Sequence, residues 1–213
     1  MDKQKELITE SGIVGVMRAE SSEKLIKVAR ALKEGGVNCI EVAMTTPNAL
    51  SAIEEVSDKL NEVLVGAGTV LDAETARSAI LAGAEYLVSP TIDIEMIEMA
   101  KRYDKVVAPG AFTPTEILKA WEAGADIVKV FPASRLGPKF IGAVKAPLPQ
   151  VSLMPTGGVN HDNAAEFIKS GADVLCAGSA LVEKQALEES NYDKIKENAE
   201  KLVEKVRRGR SER

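Results

Sequence analysis

A lysine and a glutamate lie inside apolar segments of this chain, where charged side chains are uncommon. Lys129 is the central residue of the segment Ile127–Phe131. Side chains of a β-strand alternate between its two faces, so Lys129 shares a face with Ile127 and Phe131. Burial disfavours the charged ammonium and leaves an amine that can attack a carbonyl carbon. The segment predicts a lysine suited to Schiff-base chemistry; a lysine whose charge reaches solvent is the alternative.

Glu41 occupies the same kind of position in an earlier apolar segment, between Ile40 and Val42. A carboxyl group in apolar surroundings has a raised pKa and can accept and return a proton near neutral pH. Close to a neutral lysine amine, Glu41 is expected to act as a general acid and base. A structural ion pair with Lys129 or Arg18 is the alternative, and the two interpretations are compatible.

Other candidate residues stand where predicted strands end. Arg18 follows the first strand, and its guanidinium group matches a carboxylate or a phosphate. Thr69 follows the third strand and Pro90 the fourth. Both are placed to line a pocket, although hydroxyl groups after strands more often cap helices.

Two loops rich in small residues follow the last two predicted strands. Thr156, Gly157 and Gly158 lie in the first loop, and Gly178 and Ser179 lie in the second. Glycines let backbone N–H groups approach an anion. If the fold is a TIM barrel, these two loops stand where such barrels frequently bind phosphate.

The elements that must position these residues are eight short apolar segments, most of them separated by helical patterns. The segments cover residues 13–17, 38–42, 63–66, 86–88, 106–108, 127–131, 151–154 and 174–177. Helical spacing, polar caps and terminal glycines predict helices over 21–33, 73–81, 93–100, 113–121 and 161–168. Unbroken apolar strands favour parallel pairing with both faces covered.

This alternation predicts an α/β fold of the (β/α)8 TIM-barrel type. The alternative is an open, doubly wound sheet, but the segment Gly66–Leu71 matches only part of the dinucleotide-binding glycine pattern. No linker or change in composition divides the chain. We therefore expect one domain over residues 1–213, with a short N-terminal helix and an amphipathic C-terminal helix from Tyr192.

The composition argues against several classes of protein. Hydrophobic residues make up 45% of the chain and charged residues 28%, with a net charge of −5. A nucleic-acid binder needs clustered positive charge, and a membrane span needs roughly 18 apolar residues in a row; neither is found. Cys39 and Cys176 are far apart in the sequence and fit a reducing compartment. Without the apolar stretch of a signal peptide, we expect a cytoplasmic location.

Some residues of types that often carry function are expected to be structural here. His161, the single histidine, begins a predicted helix and is expected to belong to its cap. One histidine without a cluster of carboxylates argues against a metal site. Trp121, Met96 and Met99 are expected to pack in the core.

Several motifs, taken in order, resemble one enzyme family. Over roughly residues 7–190, the chain is similar to the 2-keto-3-deoxy-6-phosphogluconate (KDPG) and 4-hydroxy-2-oxoglutarate (KHG) aldolases. The matching motifs are Ile13–Ala19, Gly35–Val37 with Ile40–Val42, Gly66–Val70, Ser89–Pro90, Pro109–Gly110 with Thr113–Glu116, Lys129–Ala133, Pro155–Val159 and Gly178–Ser179.

The resemblance implies a class I aldolase with a TIM-barrel fold that acts without a metal. No cofactor would be needed, because the substrate is held covalently as a Schiff base on the enzyme. Members of the family are usually homotrimers. Lys129 corresponds to the Schiff-base lysine and Glu41 to the general acid and base. Thr69 would contact the pyruvyl part of the substrate, Phe131 would form a wall of the pocket around it, and Pro90 would shape the pocket.

The same resemblance implies that the loops containing Gly157, Gly158, Gly178 and Ser179 hold the substrate phosphate. Thr156 is similar to the residue of gluconate-type enzymes, whereas a galactonate-type relative tends to have an aliphatic residue there. The resemblance therefore favours the gluconate isomer.

One position departs from the family pattern. Some members carry an arginine four residues after the glutamate, where it binds the substrate carboxylate; this chain has Thr45 there. Arg18 is expected to take over that task.

The implied reaction is cleavage of KDPG to pyruvate and glyceraldehyde 3-phosphate, with cleavage of KHG to pyruvate and glyoxylate beside it. Three alternatives stay open: an aldolase for the galactonate epimer, a non-catalytic trimeric scaffold, and a phosphate-binding isomerase or decarboxylase. The last usually needs a denser set of acids and bases than these strand ends provide.

Overall fold

The computed structural model describes residues 2–18 and 21–213. Ala19, the last residue of the first family motif, lies outside the described residues. Within those two ranges, no helix is long and apolar enough to cross a membrane.

The described residues form nine strands that pair only in parallel. They are β1 (Ile13–Met17), β2 (Cys39–Ala43), β3 (Leu64–Gly68), β4 (Tyr86–Val88), β5 (Val106–Ala108), β6 (Gly110–Ala111), β7 (Val128–Val130), β8 (Leu153–Pro155) and β9 (Leu175–Ala177). One sheet has the order β5-β4-β3-β2-β1-β9 and the other the order β6-β7-β8. The chain therefore has an α/β fold built on parallel sheets.

The strand ladder differs from the continuous ring of eight strands that we expected. Each of the eight predicted segments overlaps a strand, but β2, β3 and β8 extend one or two residues further, and the short strand β6 was not predicted. Pro109 separates β5 from β6, and proline has no N–H to donate to the ladder. The two sheets meet at both ends: the Lys129 N–H donates to the Pro109 carbonyl at 2.9 Å, and a parallel bridge joins Thr156 to Cys176.

One helix precedes β1, and the helices that follow most of the strands cover one face of the sheets. They are α1 (Asp2–Ser11), α2 (Ser22–Glu34), α3 (Ala49–Lys59), α4 (Ala73–Leu81), α5 (Ile94–Arg102), α6 (Pro114–Glu122), α7 (Gly137–Lys145), α8 (Ala164–Lys169), α9 (Lys184–Glu188) and α10 (Tyr192–Ser211). A single 3₁₀ turn, Ala133–Arg135, precedes α7 among the described elements.

Side-chain caps explain why some helices are visible in the sequence. Asp72 and Asp93 accept hydrogen bonds from backbone N–H groups at the starts of α4 and α5. Thr113 and Glu116 form a complete capping box on α6. Among the described residues, no side chain caps α3, α7, α8 or α9. Of these four helices, the sequence predicted only α8.

Two apolar clusters lie on opposite faces of the strands. Val128 and Val130 pack in the larger cluster with the helices, whereas Ile127 and Met154 belong to the smaller cluster on the other face. Alternation along β7 therefore turns Lys129 away from the helices, as predicted.

The expectation that Trp121 packs in the core is wrong. Met96 is fully buried and Met99 packs partly buried against the core, but Trp121 is 41% exposed on α6. Helix α6 buries Ile117 and Ala120, and Trp121 lies outside this buried face.

The contact between α10 and α8 requires a glycine. A Cβ atom added to Gly209 would lie 2.6 Å from the carbonyl oxygen of Ala165. At Gly142 in α7, the nearest atom is the carbonyl oxygen of Ser170 at 3.5 Å, an ordinary contact. The two glycines thus differ in packing although both are helical.

We predict opposite effects of alanine at these two positions. Gly142→Ala should raise the free energy of unfolding by about 0.5–1 kcal/mol, because alanine is the better helix former. Gly209→Ala should lower it by about 1–3 kcal/mol, because overpacking outweighs helix propensity. Urea unfolding followed by circular dichroism measures both values. Equal stabilisation by both substitutions would contradict the close packing of α10 on α8.

Candidate active site

A cavity of about 410 Å³ opens where the strands end. It brings together all eleven residues that the sequence analysis selected, from seven of the nine strands or the segments after them. The lining residues are Val16, Arg18, Glu41, Thr45, Thr69, Pro90, Lys129, Phe131, Thr156, Gly157, Gly158, Val159, Cys176, Gly178 and Ser179.

Lys129 reaches this cavity from the middle of β7. The residue is only 5% exposed, and its backbone is held in register between Gly110 of β6 and Met154 of β8. Its Nζ atom lies 5.0 Å from the centre of the Phe131 ring. The lysine is therefore buried, held by the sheet and open to the cavity, as an amine nucleophile must be.

Glu41 faces the same cavity from β2 and is 2% exposed. Its carboxylate fits because the neighbouring strand has no side chain at Gly68: a Cβ atom there would overlap Oε1 of Glu41. A glycine on β3 is thus required for the carboxylate to lie against the sheet.

Burial raises the pKa of the Glu41 carboxyl group, because the charged form is poorly solvated in the interior. The charge of Lys129, a hydrogen bond from Cys176 and the charge of Arg18 oppose this and lower the pKa. A carboxyl group balanced in this way can both hold and release a proton, which is the property required of a general acid and base.

Cys176 is a contact of Glu41 that the sequence analysis missed. Its Sγ atom donates to Oε2 of Glu41 at 3.7 Å, and burial raises the pKa of this thiol to about 12. The thiol therefore keeps its proton and acts as a donor. Alternation along β9 puts Cys176 on the face opposite Leu175 and Ala177, and this signal could have found it.

Tyr86 lies beneath the carboxylate, in the smaller apolar cluster. The residue is 2% exposed, and among the described residues its hydroxyl group has no hydrogen-bond partner. A Cβ atom on Gly66 would collide with the Tyr86 ring. The two glycines of β3 therefore make room for two side chains: Gly66 for the Tyr86 ring and Gly68 for the Glu41 carboxylate.

Thr69 has an unusual backbone at the edge of the cavity. Its φ angle is +60°, a left-handed conformation that β-branched residues rarely adopt. Such strain costs about 1–3 kcal/mol and is found most often at functional sites. The backbone around it is fixed, because Val70 N–H donates to the Val88 carbonyl at 3.1 Å.

The two loops rich in small residues border the cavity on one side. Gly157 and Gly158 have φ angles of +85° and +83°, which only glycine adopts readily. The Gly157 carbonyl accepts a hydrogen bond from Ser134 N–H at 2.8 Å, and the Gly178 carbonyl accepts one from Leu181 N–H at 2.9 Å. Both loops are therefore held by backbone hydrogen bonds.

Arg18 and Thr45 line the cavity with Lys129. The Arg18 guanidinium is close enough to lower the pKa of Glu41. Within the described ranges, no three His, Cys, Asp or Glu side chains are grouped so that they could hold a metal ion. Arg18 thus adds a guanidinium group to the amine of Lys129 and the carboxyl group of Glu41 in the cavity.

The geometry has counterparts among proteins of known activity. A 2-dehydro-3-deoxy-phosphogluconate aldolase of Treponema pallidum is 34% identical over 184 residues, covering 86% of this chain and 88% of the relative. The KHG/KDPG aldolase of Escherichia coli is 32% identical over 199 residues, or 93% of each chain.

A similar solved structure is the KDPG aldolase of Legionella pneumophila, in which pyruvate was captured at low pH as a covalent carbinolamine intermediate. It is 27% identical, has a TM-score of 0.86 and covers 92% of this chain and 96% of its own. The family whose sequence model matches residues 4–198 is described as KDPG and KHG aldolase. The chain belongs to the KDPG and KHG aldolase family.

Proposed function

We propose that this protein is a class I aldolase that cleaves KDPG to pyruvate and glyceraldehyde 3-phosphate, and KHG to pyruvate and glyoxylate. The observation that carries the proposal is a buried lysine, Lys129, in one cavity with a carboxyl group, Glu41, whose pKa is raised by burial. The names of the relatives support both substrates.

The proposed scaffold is one closed eight-stranded barrel forming a single domain. Two contacts between the sheets support closure, the Lys129–Pro109 hydrogen bond and the Thr156–Cys176 bridge. In this view β5 and β6 are one strand interrupted at Pro109. The smaller apolar cluster is then the barrel interior, and the cavity is its mouth at the C-terminal ends of the strands.

The reaction begins when the amine of Lys129 attacks the C2 carbonyl carbon of the substrate. Loss of water from the resulting carbinolamine gives a protonated imine, which attracts electrons from the neighbouring bonds. Glu41 then removes the proton of the C4 hydroxyl group. The C3–C4 bond breaks, its electrons neutralise the iminium as an enamine, and the aldehyde leaves.

In the second half of the reaction, Glu41 gives back the proton that it took from the substrate. The protonated Glu41 donates it to C3 of the enamine, which restores the iminium. Water then adds to the imine carbon, and pyruvate leaves as the lysine is regenerated. Lys129 thus serves as the electron sink and Glu41 as the proton carrier, with no cofactor in either half.

Substrate binding is divided between the two sides of the cavity. Arg18 binds the substrate carboxylate in place of the arginine that Thr45 replaces. Thr69, Phe131 and Pro90 enclose the pyruvyl part. Thr156 and the loops with Gly157, Gly158, Gly178 and Ser179 hold the distal end with its phosphate, as glycine-rich loops bind anions.

The proposed assembly is a homotrimer. Phe112 and Trp121 are each 41% exposed, and an apolar recess beside the cavity is lined by Ile92, Phe112 and Phe131, among other residues. Exposed apolar surface of this kind favours association with further copies of the chain.

The proposed location is the cytoplasm. The two cysteines are buried and form no disulfide bond, which suits a reducing compartment.

A substrate panel with coupled detection of pyruvate tests the function. We expect cleavage of KDPG and KHG, and slower cleavage of the galactonate epimer, because Thr156 favours the gluconate isomer. Preference for the epimer would reverse the assignment of the isomer. No pyruvate from any of the three substrates, with folded protein, would favour the scaffold instead.

Trapping with borohydride tests the covalent step. In the presence of pyruvate, the reductant should leave a pyruvyl adduct on Lys129, located by peptide mass mapping, and Lys129→Ala should lose both the adduct and cleavage. Lys145 is a control, since its side chain is 15% exposed and pairs with Asp173 outside the cavity; Lys145→Ala should keep both. An adduct on another lysine, with Lys129 unmodified, would reject the mechanism.

The Cys176 thiol should set the lower pH limit of activity. Cleavage needs the ionised Glu41, so activity falls as the pH drops through the Glu41 pKa. Cys176→Val removes a donor that lowers this pKa, and should move the acid limb of kcat/KM upward by about 0.5–1 pH unit. Cys176→Ser should largely prevent the shift.

Cys39 provides the matched control for this pH profile. It is also a buried thiol, but its Sγ atom donates to the Leu7 carbonyl at 3.9 Å. Cys39→Val should therefore leave the acid limb of the kcat/KM profile at the wild-type pH. If Cys176→Val does not move the acid limb, the Cys176 thiol does not control the pKa of Glu41.

A further inference from the structure

We propose that His161 is a positioning residue that sets the separation of the loops after β8 and β9, and so favours phosphorylated over unphosphorylated substrates. The first loop is defined as residues 156–163 and the second as residues 178–183. The inference rests on the proposed function, because it assigns the phosphate of the substrate to these two loops.

One side chain joins the two loops. His161 Nε2 lies 3.1 Å from the carbonyl oxygen of Ala180, and since a carbonyl oxygen only accepts, Nε2 carries the hydrogen. Among the described residues, this is the hydrogen bond that connects the first loop with the second. His161 does not line the cavity, so it acts through the loops and not on the substrate.

The first loop transmits the position of His161 to the cavity. Asn160 Oδ1 accepts hydrogen bonds from the N–H groups of Asp162 at 2.9 Å and Asn163 at 3.2 Å. Asn163 Nδ2 in turn donates to the Gly158 carbonyl at 2.8 Å. His161 lies inside this bonded turn, so a displacement of the ring carries Gly158 with it.

The second loop is similarly tied. The Gly178 carbonyl accepts from the N–H groups of Leu181 and Val182, both at 2.9 Å. Ala180 therefore cannot move independently of Gly178 and Ser179. Hydrogen bonds and short stretches of backbone together connect Gly158, through His161 and Ala180, to the cavity-lining residues of the second loop.

Among the described residues, the bond to Ala180 is the one hydrogen bond of the His161 ring. His161 Nδ1 is buried without a partner among the residues that the structure describes, and burying an unpaired polar atom is unfavourable. A glutamine side chain also carries an N–H donor at Nε2, which makes it the conservative replacement.

The two substrates should respond differently to a change in loop separation. A phosphate group accepts hydrogen bonds from both loops at once, so its binding depends on their distance. KHG has no phosphate, and its second carboxylate is bonded directly to C4, closer to the reacting bond than the phosphate of KDPG is. The groups assigned to its reaction and to its first carboxylate, Lys129, Glu41 and Arg18, lie outside both loops. A loss of the His161 bridge should therefore affect KDPG and spare KHG.

Steady-state kinetics of His161→Phe and His161→Gln on KDPG and KHG test the inference. His161→Phe should raise KM for KDPG about tenfold, the effect of losing one good hydrogen bond, with kcat and the KHG constants little changed. His161→Gln should stay near the wild type. Inorganic phosphate should inhibit KHG cleavage by the wild type, and about tenfold more weakly in His161→Phe.

Controls separate this inference from folding and from the proposed function. The pyruvate adduct on Lys129 checks that each variant is folded, and His161→Asn, too short to reach Ala180, replaces His161→Phe if that variant fails. Equal effects on KDPG and KHG, no effect on either, or a glutamine variant as poor as phenylalanine would overturn the inference. Absence of cleavage and of the adduct in the wild type would reject the proposed function instead.

Discussion

Two ionisable side chains share an apolar interior, and the rest of the site is arranged around the cost of burying them. Lys129 is 5% exposed and Glu41 2% exposed, and burying the charged form of either group without a partner is costly. The charge of Lys129 partly offsets the desolvation of Glu41, and Cys176 adds a hydrogen bond at 3.7 Å. Such an arrangement is poor for stability but suited to proton transfer.

The glycines of β3 show how the sheet admits these groups. In the sequence, the Gly66–Leu71 segment resembles part of a nucleotide-binding pattern. In the structure, Gly68 leaves space for the Glu41 carboxylate and Gly66 leaves space for the Tyr86 ring. Their function is therefore to create volume inside the fold, while Thr69 in its left-handed conformation begins the cavity wall.

The cavity also divides its tasks between rigid strands and bonded loops. The amine, the carboxyl group and the thiol all lie on strands, where the ladder holds them in register. The glycine loops after β8 and β9 lie at the rim and depend on side-chain links such as the bond from His161 to Ala180. Reactive groups are thus held more firmly than the groups that border the outer part of the cavity.

Much of the fold could be predicted because its signals are local. Alternation in Ile127–Phe131 placed Lys129 away from the helices, and caps such as Asp72 marked helix starts. Helices α3 and α7 were not predicted, and neither has a side-chain cap at its start within the described residues. The interruption at Pro109 was missed because an apolar pattern does not report which backbone N–H groups join a ladder.

By itself, the sequence determined which residues are buried on each strand and, through its ordered motifs, the family. The tertiary structure decided which side chains meet. Cys176 and Glu41 are 135 residues apart in the chain, and His161 and Ala180 lie on different loops. Alternation can place Cys176 on the inner face of β9, but it does not pair the thiol with Glu41. Trp121 is exposed, because whether an apolar side chain is covered depends on what packs against its helix. Only the folded chain decides this, and local helical spacing does not report it.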